Sequence, residues 1–302
     1  MANNVKGTIN LLDTILLGKH GQIKLAMACL LAEGHLLIED LPGLGKTTLS
    51  HALANVLGLS YNRIQFTSDL LPSDLTGITI YERSSEKFIF QRGPIFAQVV
   101  LADEINRASP KCQSALLEAM EERQVSIDGE THQLPAPFFV IATQNPQDQV
   151  GTFPLPESQL DRFLMRITLG YPPAEAEKSL LKGNDRRQMI SGLTPLLGLK
   201  ELEVLQAEVR KINASDAIID YVHRLLHHTR NQPQYHCGLS PRAGLALLKA
   251  AKAWALIAGR DYVLPEDIQA VLPSVVEHRV GRHGAHHDTP LSRQLLKAVD
   301  VF

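Results

Sequence analysis

One octapeptide constrains this chain more than any other feature: Leu41-Pro42-Gly43-Leu44-Gly45-Lys46-Thr47-Thr48. It stands between a short apolar run, residues 35–38, and a stretch of helical spacing, residues 47–57, that Gly58 ends. A glycine-rich turn between strand and helix lets backbone N–H groups approach phosphate oxygens closely. The helix N-terminus adds partial positive charge. In such a P-loop the lysine reaches the β and γ phosphates of a nucleotide and the next hydroxyl binds Mg²⁺, roles that fall to Lys46 and Thr47. The full pattern wants glycine six residues before the lysine, and Asp40 stands there instead.

Two apolar runs with polar ends follow. Val99-Val100-Leu101-Ala102-Asp103-Glu104 reads as a strand buried on both faces and closed by two acids. Asp103 is suited to the Mg²⁺ shell and Glu104 to orienting and deprotonating a water; without a P-loop the pair would read equally well as a solvated turn. Phe138-Phe139-Val140-Ile141-Ala142-Thr143-Gln144-Asn145 has an amide at its tip that can hold the attacking water or the γ phosphate. Taken alone, Asn145-Pro146 reads as a simple turn.

The first 171 residues alternate strands and helices. Residues 61–66, 98–101, 138–142 and 163–169 read as strands. Residues 110–122 read as a helix, with Ser109 placed to cap it and Pro110 in its first turn. This order implies a parallel sheet covered by helices. Two β-rich stretches interrupt it, 78–90 around Ser84-Ser85 and 124–137 around Asp128-Gly129, and both read as inserted hairpins. Tyr171-Pro172-Pro173 reads as a hinge. Beyond it the strand signal stops, and residues 202–212, 217–230, 242–258 and 265–278 read as helices, with Asp216 and Ser240 as caps. The expectation is an α/β nucleotide-binding domain over 1–171 and a small α-helical lid domain over 172–302.

Composition narrows the function. At 44% hydrophobic and 21% charged residues, the 302-residue chain is neither disordered nor fibrous. A net charge of −2 weighs against a nucleic-acid coat. The apolar run at 25–32 is too short to span a bilayer, and residues 1–18 lack a secretory cleavage pattern. Cys29, Cys112 and Cys237 lie far apart, make no metal pattern, and fit a reducing, cytoplasmic compartment; each reads as a small buried hydrophobe. Eight of the 12 histidines lie at or after His223, including His283, His286 and His287. They read as a solvated tail or exposed helix face rather than a zinc site. Arg279, Arg282 and Arg293 make this tail locally basic, which suits a subunit contact or solubility.

In this order the motifs resemble the MoxR family of AAA+ ATPases over nearly the whole chain. The blocks that carry the resemblance are Glu39-Asp40 with the P-loop, Arg63-Ile64-Gln65-Phe66-Thr67, Asp69-Leu70-Leu71-Pro72-Ser73-Asp74-Leu75-Thr76-Gly77 and Phe90-Gln91-Arg92-Gly93-Pro94. Further blocks are Asp103-Glu104-Ile105-Asn106-Arg107-Ala108, Ala142-Thr143-Gln144-Asn145-Pro146, residues 155–163 (LPESQLDRF) and Leu239-Ser240-Pro241-Arg242. The resemblance accounts for Asp40, since this family's loop commonly begins Glu-Asp. It implies an AAA+ P-loop fold with a helical lid and hydrolysis of the β–γ phosphoanhydride bond of ATP with Mg²⁺. The nucleotide would be held by Asp40, Pro42, Gly43, Leu44, Gly45, Lys46, Thr47, Thr48 and Arg242. The metal would be held by Thr47 and Asp103, and catalysis would rest on Glu104, Asn145, Arg162 and Lys46. In this comparison Asn145 matches sensor 1, Arg242 sensor 2, and Arg162 the arginine finger, with Arg166 and Arg107 as rivals. The implied assembly is a homo-oligomeric ring, a hexamer, with both hairpins facing its centre. It would mature protein partners, often ones with a von Willebrand A domain. The competing reading is a nucleic-acid motor on the same core, which the net charge and the balanced first hairpin tip (Glu82, Arg83, Glu86, Lys87) weigh against.

Overall fold

The computed structural model describes residues 2–146, 151–182, 190, 192–235, 237–280 and 290–301. Five short runs rich in Val, Ile and Leu pair into one parallel sheet: β1 (Leu36–Glu39), β2 (Tyr61–Gln65), β5 (Val99–Asp103), β8 (Phe139–Gln144) and β9 (Met165–Ile167), in the order β2-β5-β8-β1-β9. Every residue of β5 is buried, and so is every residue of β8 except Gln144. Helices cover both faces, so these strands are apolar throughout rather than alternating.

One face is sealed by α5 (Pro110–Glu122), whose Leu116 and Leu117 pack with Phe66, Val100 and Phe163. The other face meets α1 (Ala2–Ile15), α2 (His20–Leu31) and α3 (Lys46–Val56). The segment read only as an apolar run at 25–32 is the buried end of α2. There Ile23, Ala26, Met27, Ala28, Cys29, Leu30 and Leu31 are all enclosed. A helix buried all round loses the 3.6-residue stripe that would reveal it.

Past Tyr171 every described element is helical: α7 (Ala174–Leu181), α8 (Leu199–Lys211), α9 (Asp216–Asn231), α10 (Pro241–Ala258), α11 (Pro265–Val276) and α12 (Leu291–Ala298). α10 packs on both α2 and α11, so the helical region continues the apolar core begun by α1 and α2. The Ser240 hydroxyl accepts the Ala243 N–H at 3.1 Å and caps α10. On α9 the cap is Ser215, with Asp216 the first helical residue.

Both hairpins stand apart from the sheet. The first pairs β3 (Gly77–Glu82) with β4 (Lys87–Arg92), and the second pairs β6 (Gln124–Ile127) with β7 (Glu130–Gln133). Asp128 (φ 51°) and Gly129 (φ 83°) make the expected tight turn. The Phe90 ring stacks on the His132 ring at 4.1 Å and joins the two hairpins. Three short pieces complete the described chain: α4 (Pro72–Thr76), a 3₁₀ turn at Ile105–Arg107 and α6 (Glu157–Leu160).

Candidate nucleotide site

A parallel sheet binds ligands outside the carboxyl ends of its strands. At that edge lies a cavity of about 340 Å³ lined by Pro42, Gly43, Gly45, Lys46, Thr47, Thr48, Arg63, Gln65, Asp103, Glu104 and Asn145. The loop from β1 to α3 turns on Gly43 (φ 82°) and Gly45 (φ 93°). A Cβ on Gly43 would meet no atom within 4 Å, so the left-handed backbone, not crowding, calls for glycine there. Gly45 caps α3 without a side chain to accept the helix's first N–H groups. Those donors, with the helix dipole, suit an anion. A hydroxyl (Thr47), a carboxylate (Asp103) and an ammonium (Lys46) around one cavity are the donor set of a nucleotide phosphate with a hard cation.

The acids are held by neighbours that stand in the motif blocks but to which the motifs assign no such contact. Asp103 Oδ1 accepts the Thr143 hydroxyl at 2.6 Å, and Oδ2 accepts Arg63 Nη2 at 2.6 Å and Nε at 3.1 Å. Glu104 takes a left-handed backbone (φ 58°), and its N–H donates to Thr143 Oγ1 at 2.9 Å. Its Oε2 accepts Gln65 Nε2 at 3.1 Å and lies 3.0 Å from Arg107 Nε. A cation shared by Thr47 and Asp103 would compete with the Arg63 guanidinium. The sequence signal for Arg63 and Gln65 is their i, i+2 spacing at the end of a strand that pairs with β5, with Gln65 opposite Asp103.

Three predicted nucleotide-binding residues do not line the cavity: Asp40, Leu44 and Arg242. The Asp40 carboxylate is turned inward. It accepts the N–H groups of Leu41 (2.9 Å), Leu169 (2.6 Å) and Gly170 (2.6 Å). Its backbone carbonyl accepts Lys46 Nζ at 2.6 Å. Asp40 thus ties the start of the P-loop to the segment that follows β9. A carboxylate makes those three bonds where glycine could not.

The structure does not bring Arg162 or Arg242 to this cavity. Both meet Glu121, Arg162 Nη1 at 3.1 Å from one carboxylate oxygen and Arg242 Nη1 at 3.3 Å from the other. They line a separate cleft of about 280 Å³ that also includes Gly34 and His35. Those two residues enter β1, whereas the P-loop leaves it, so the cleft lies at the opposite edge of the sheet. Of the rival arginines, Arg166 donates to Glu39 at 2.8 Å and Arg107 pairs with Glu104.

Among the described residues no three His, Cys, Asp or Glu side chains converge on a metal site. His283, His286, His287 and Arg282 lie outside the described residues. Arg279 is buried rather than part of a solvated tail. Cys29 and Cys112 are buried as expected, whereas Cys237 is half-buried and its thiol lies 3.0 Å from Glu157 Oε2. No described helix is long and apolar enough to cross a membrane.

Comparison with known proteins agrees with this geometry. Residues 35–165 match the family described as ATPases associated with various cellular activities (AAA), and residues 227–298 match the AAA lid domain. The Bacillus subtilis protein YeaC is 48% identical over 272 residues, 90% of this chain and 85% of that one. Chaperone MoxR1 of Mycobacterium tuberculosis is 42% identical over 280 residues, 88% of this chain and 72% of that one. The crystal structure of a Cytophaga hutchinsonii protein superposes with a TM-score of 0.87 at 35% identity, covering 99% of this chain and 95% of that one. The chain belongs to the MoxR family of AAA+ ATPases.

Proposed function

We propose that this chain hydrolyses ATP as a ring-forming cytoplasmic chaperone, using the energy to remodel or mature protein partners. One observation carries the reading: Lys46, Thr47, Asp103, Glu104 and Asn145 line a single cavity at the carboxyl edge of the sheet. In this scheme the 42–48 loop and Lys46 bind the phosphates. Thr47 and Asp103 would hold Mg²⁺, whose charge would offset that of the transferred phosphoryl group. Glu104 accepts a proton from a water that Asn145 positions, the water oxygen bonds to the γ phosphorus, and the β–γ anhydride bond breaks with its bridging oxygen leaving on ADP. Gln65 and Arg107, bonded to the same Glu104 oxygen, fix its carboxylate.

Arg162 and Arg242 belong to the opposite edge, and we assign them to the nucleotide of an adjacent copy in a hexameric ring. A cation there stabilises charge on the phosphoryl group in flight. The first hairpin would face the client. It exposes Ile78, Ile80, Tyr81, Phe88 and Ile89, an apolar surface better matched to a protein than to a polynucleotide. A partner with a von Willebrand A domain fits this assignment.

The test is Glu104→Gln. This variant keeps ATP binding and loses turnover at least ~100-fold. Held in ATP, it retains a von Willebrand A domain partner that the wild type releases. Wild-type turnover in Glu104→Gln overturns the assignment of the base.

A further inference from the structure

Both arginines of the far cleft depend on one acid. Glu121 sits at the end of α5, and each of its oxygens faces a different guanidinium. Neither contact is the bidentate fork that makes arginine–carboxylate pairs strong. All three side chains reach solvent: Arg162 is 31% exposed, Glu121 37% and Arg242 49%. The counter-ion is therefore exchangeable.

The frame around it is not. Arg162 Nη1 also donates to the Leu117 carbonyl at 2.8 Å. Behind it the buried Arg279 guanidinium donates to Asp161 Oδ1 at 2.6 Å and to the carbonyls of Asp161, Phe163 and Leu164, on both sides of Arg162. Charge in the cleft is unbalanced. Arg279 is matched by Asp161 and Arg123 by Glu33, so Arg162, Arg242 and Lys249 are left with Glu121 as the remaining acid. A single carboxylate under-compensates them, and an anion of higher charge, such as a terminal phosphate, competes for the same donors.

We infer that Glu121 is an internal counter-ion standing where a neighbouring copy's terminal phosphate will sit, holding Arg162 and Arg242 together until a loaded neighbour displaces it. The inference rests on the assignment of these arginines to an adjacent copy. Contact between copies then exchanges one anion for another, and empty neighbours gain nothing from the exchange. Glu121 is a positioning residue in this scheme: it touches the arginines, not the nucleotide.

The experiment measures ATP-dependent assembly by sedimentation in the Glu104→Gln background, where no turnover intervenes. Adding Glu121→Gln removes the competing charge while keeping the side chain's size. The concentration for half-maximal assembly in ATP falls about fivefold, the scale of one half-exposed ion pair, and the gain shrinks at high salt. Glu121→Asp stays close to the parent. A purely structural role for Glu121 predicts the opposite sign, so an unchanged or raised half-maximal concentration overturns the inference. Arg162→Ala serves as the control for the underlying assignment. If it turns over ATP like the wild type, the assignment and the inference fall together. If it loses turnover but keeps ATP binding while Glu121→Gln assembles like its parent, the inference alone falls.

Discussion

Single residues at this site are defined as much by the strand register as by the motifs. Lys46, Thr47, Asp103, Glu104 and Asn145 were legible because their chemistry is concentrated at strand ends and in one loop. Arg63, Gln65 and Thr143 stand in the motif blocks, but their roles were not legible, because each matters only through the strand beside it: Gln65 stands opposite Asp103, and Thr143 lies one strand over. His35 shows the same dependence. Its Nδ1 accepts the Val140 N–H at 3.0 Å and its Nε2 donates to the Met120 carbonyl at 3.2 Å, an arrangement only the neutral ring can make. Burial pushes its pKa down from about 6.5 to about 4, with the Met120 carbonyl opposing and Arg123 reinforcing the shift. The unfolded chain binds this proton below about pH 6.5 and the folded chain only below about 4. Stability is therefore fully present above 6.5 and is lost as pH falls toward 4. At pH 5 the loss from His35 is about 2 kcal/mol, and His278, also pushed down by burial, adds to it. Urea unfolding should show a lower midpoint at pH 5 than at pH 7.5 with an unchanged slope. An imidazole signal from His35 that titrates near 6.5 would refute the argument.

At the scale of elements, the link between the sheet and the helical region is a built clamp rather than a loose hinge. Sequence placed a break at Tyr171-Pro172-Pro173 because prolines are visible. It did not show what grips the chain there. Lys19, only 6% exposed, donates to three successive carbonyls, Leu169 at 2.7 Å, Gly170 at 2.9 Å and Tyr171 at 2.8 Å. Asp40 takes the Leu169 and Gly170 N–H groups from the other side. Gly18 lets the chain pass, since a Cβ there would lie 2.5 Å from Pro173 Cδ. Burial lowers the Lys19 pKa and Asp40 opposes that shift. Because Lys46 rests on the Asp40 carbonyl, the P-loop and the 169–171 segment meet at one residue. Lys19→Met leaves three carbonyls without their donor and should cost about 3 kcal/mol of stability. Amide exchange should rise most at Leu169 and Gly170. A change within 0.5 kcal/mol, on the scale of ordinary surface substitutions, would mean that Asp40 alone fixes the segment. The hairpins, by contrast, were legible as elements because their turn chemistry and strand residues are local.

For the whole molecule, the proposed placement of the arginines on a neighbouring copy ties activity to assembly. The nucleotide cavity and the Arg162–Arg242 cleft share no lining residue and lie at opposite ends of β1. On the assignment proposed above, one chain would hold half of each of two sites, a head-to-tail relation that closes into a ring when the rotation permits. Mixing two inactive variants tests this directly. In the proposed scheme Glu104→Gln supplies intact arginines but would not activate water; Arg162→Ala keeps an intact cavity but would offer no finger. Neither should turn over ATP alone. Mixed in equal amounts, an Arg162→Ala cavity faces a Glu104→Gln neighbour at half of its interfaces, and such cavities are half of the total. Turnover should recover to roughly a quarter of the wild-type value for random heterologous interfaces, and it should vanish on dilution below the assembly concentration. If the arginine acted within its own chain, every subunit in the mixture would lack either a base or a finger, and turnover would stay at the level of the separate variants.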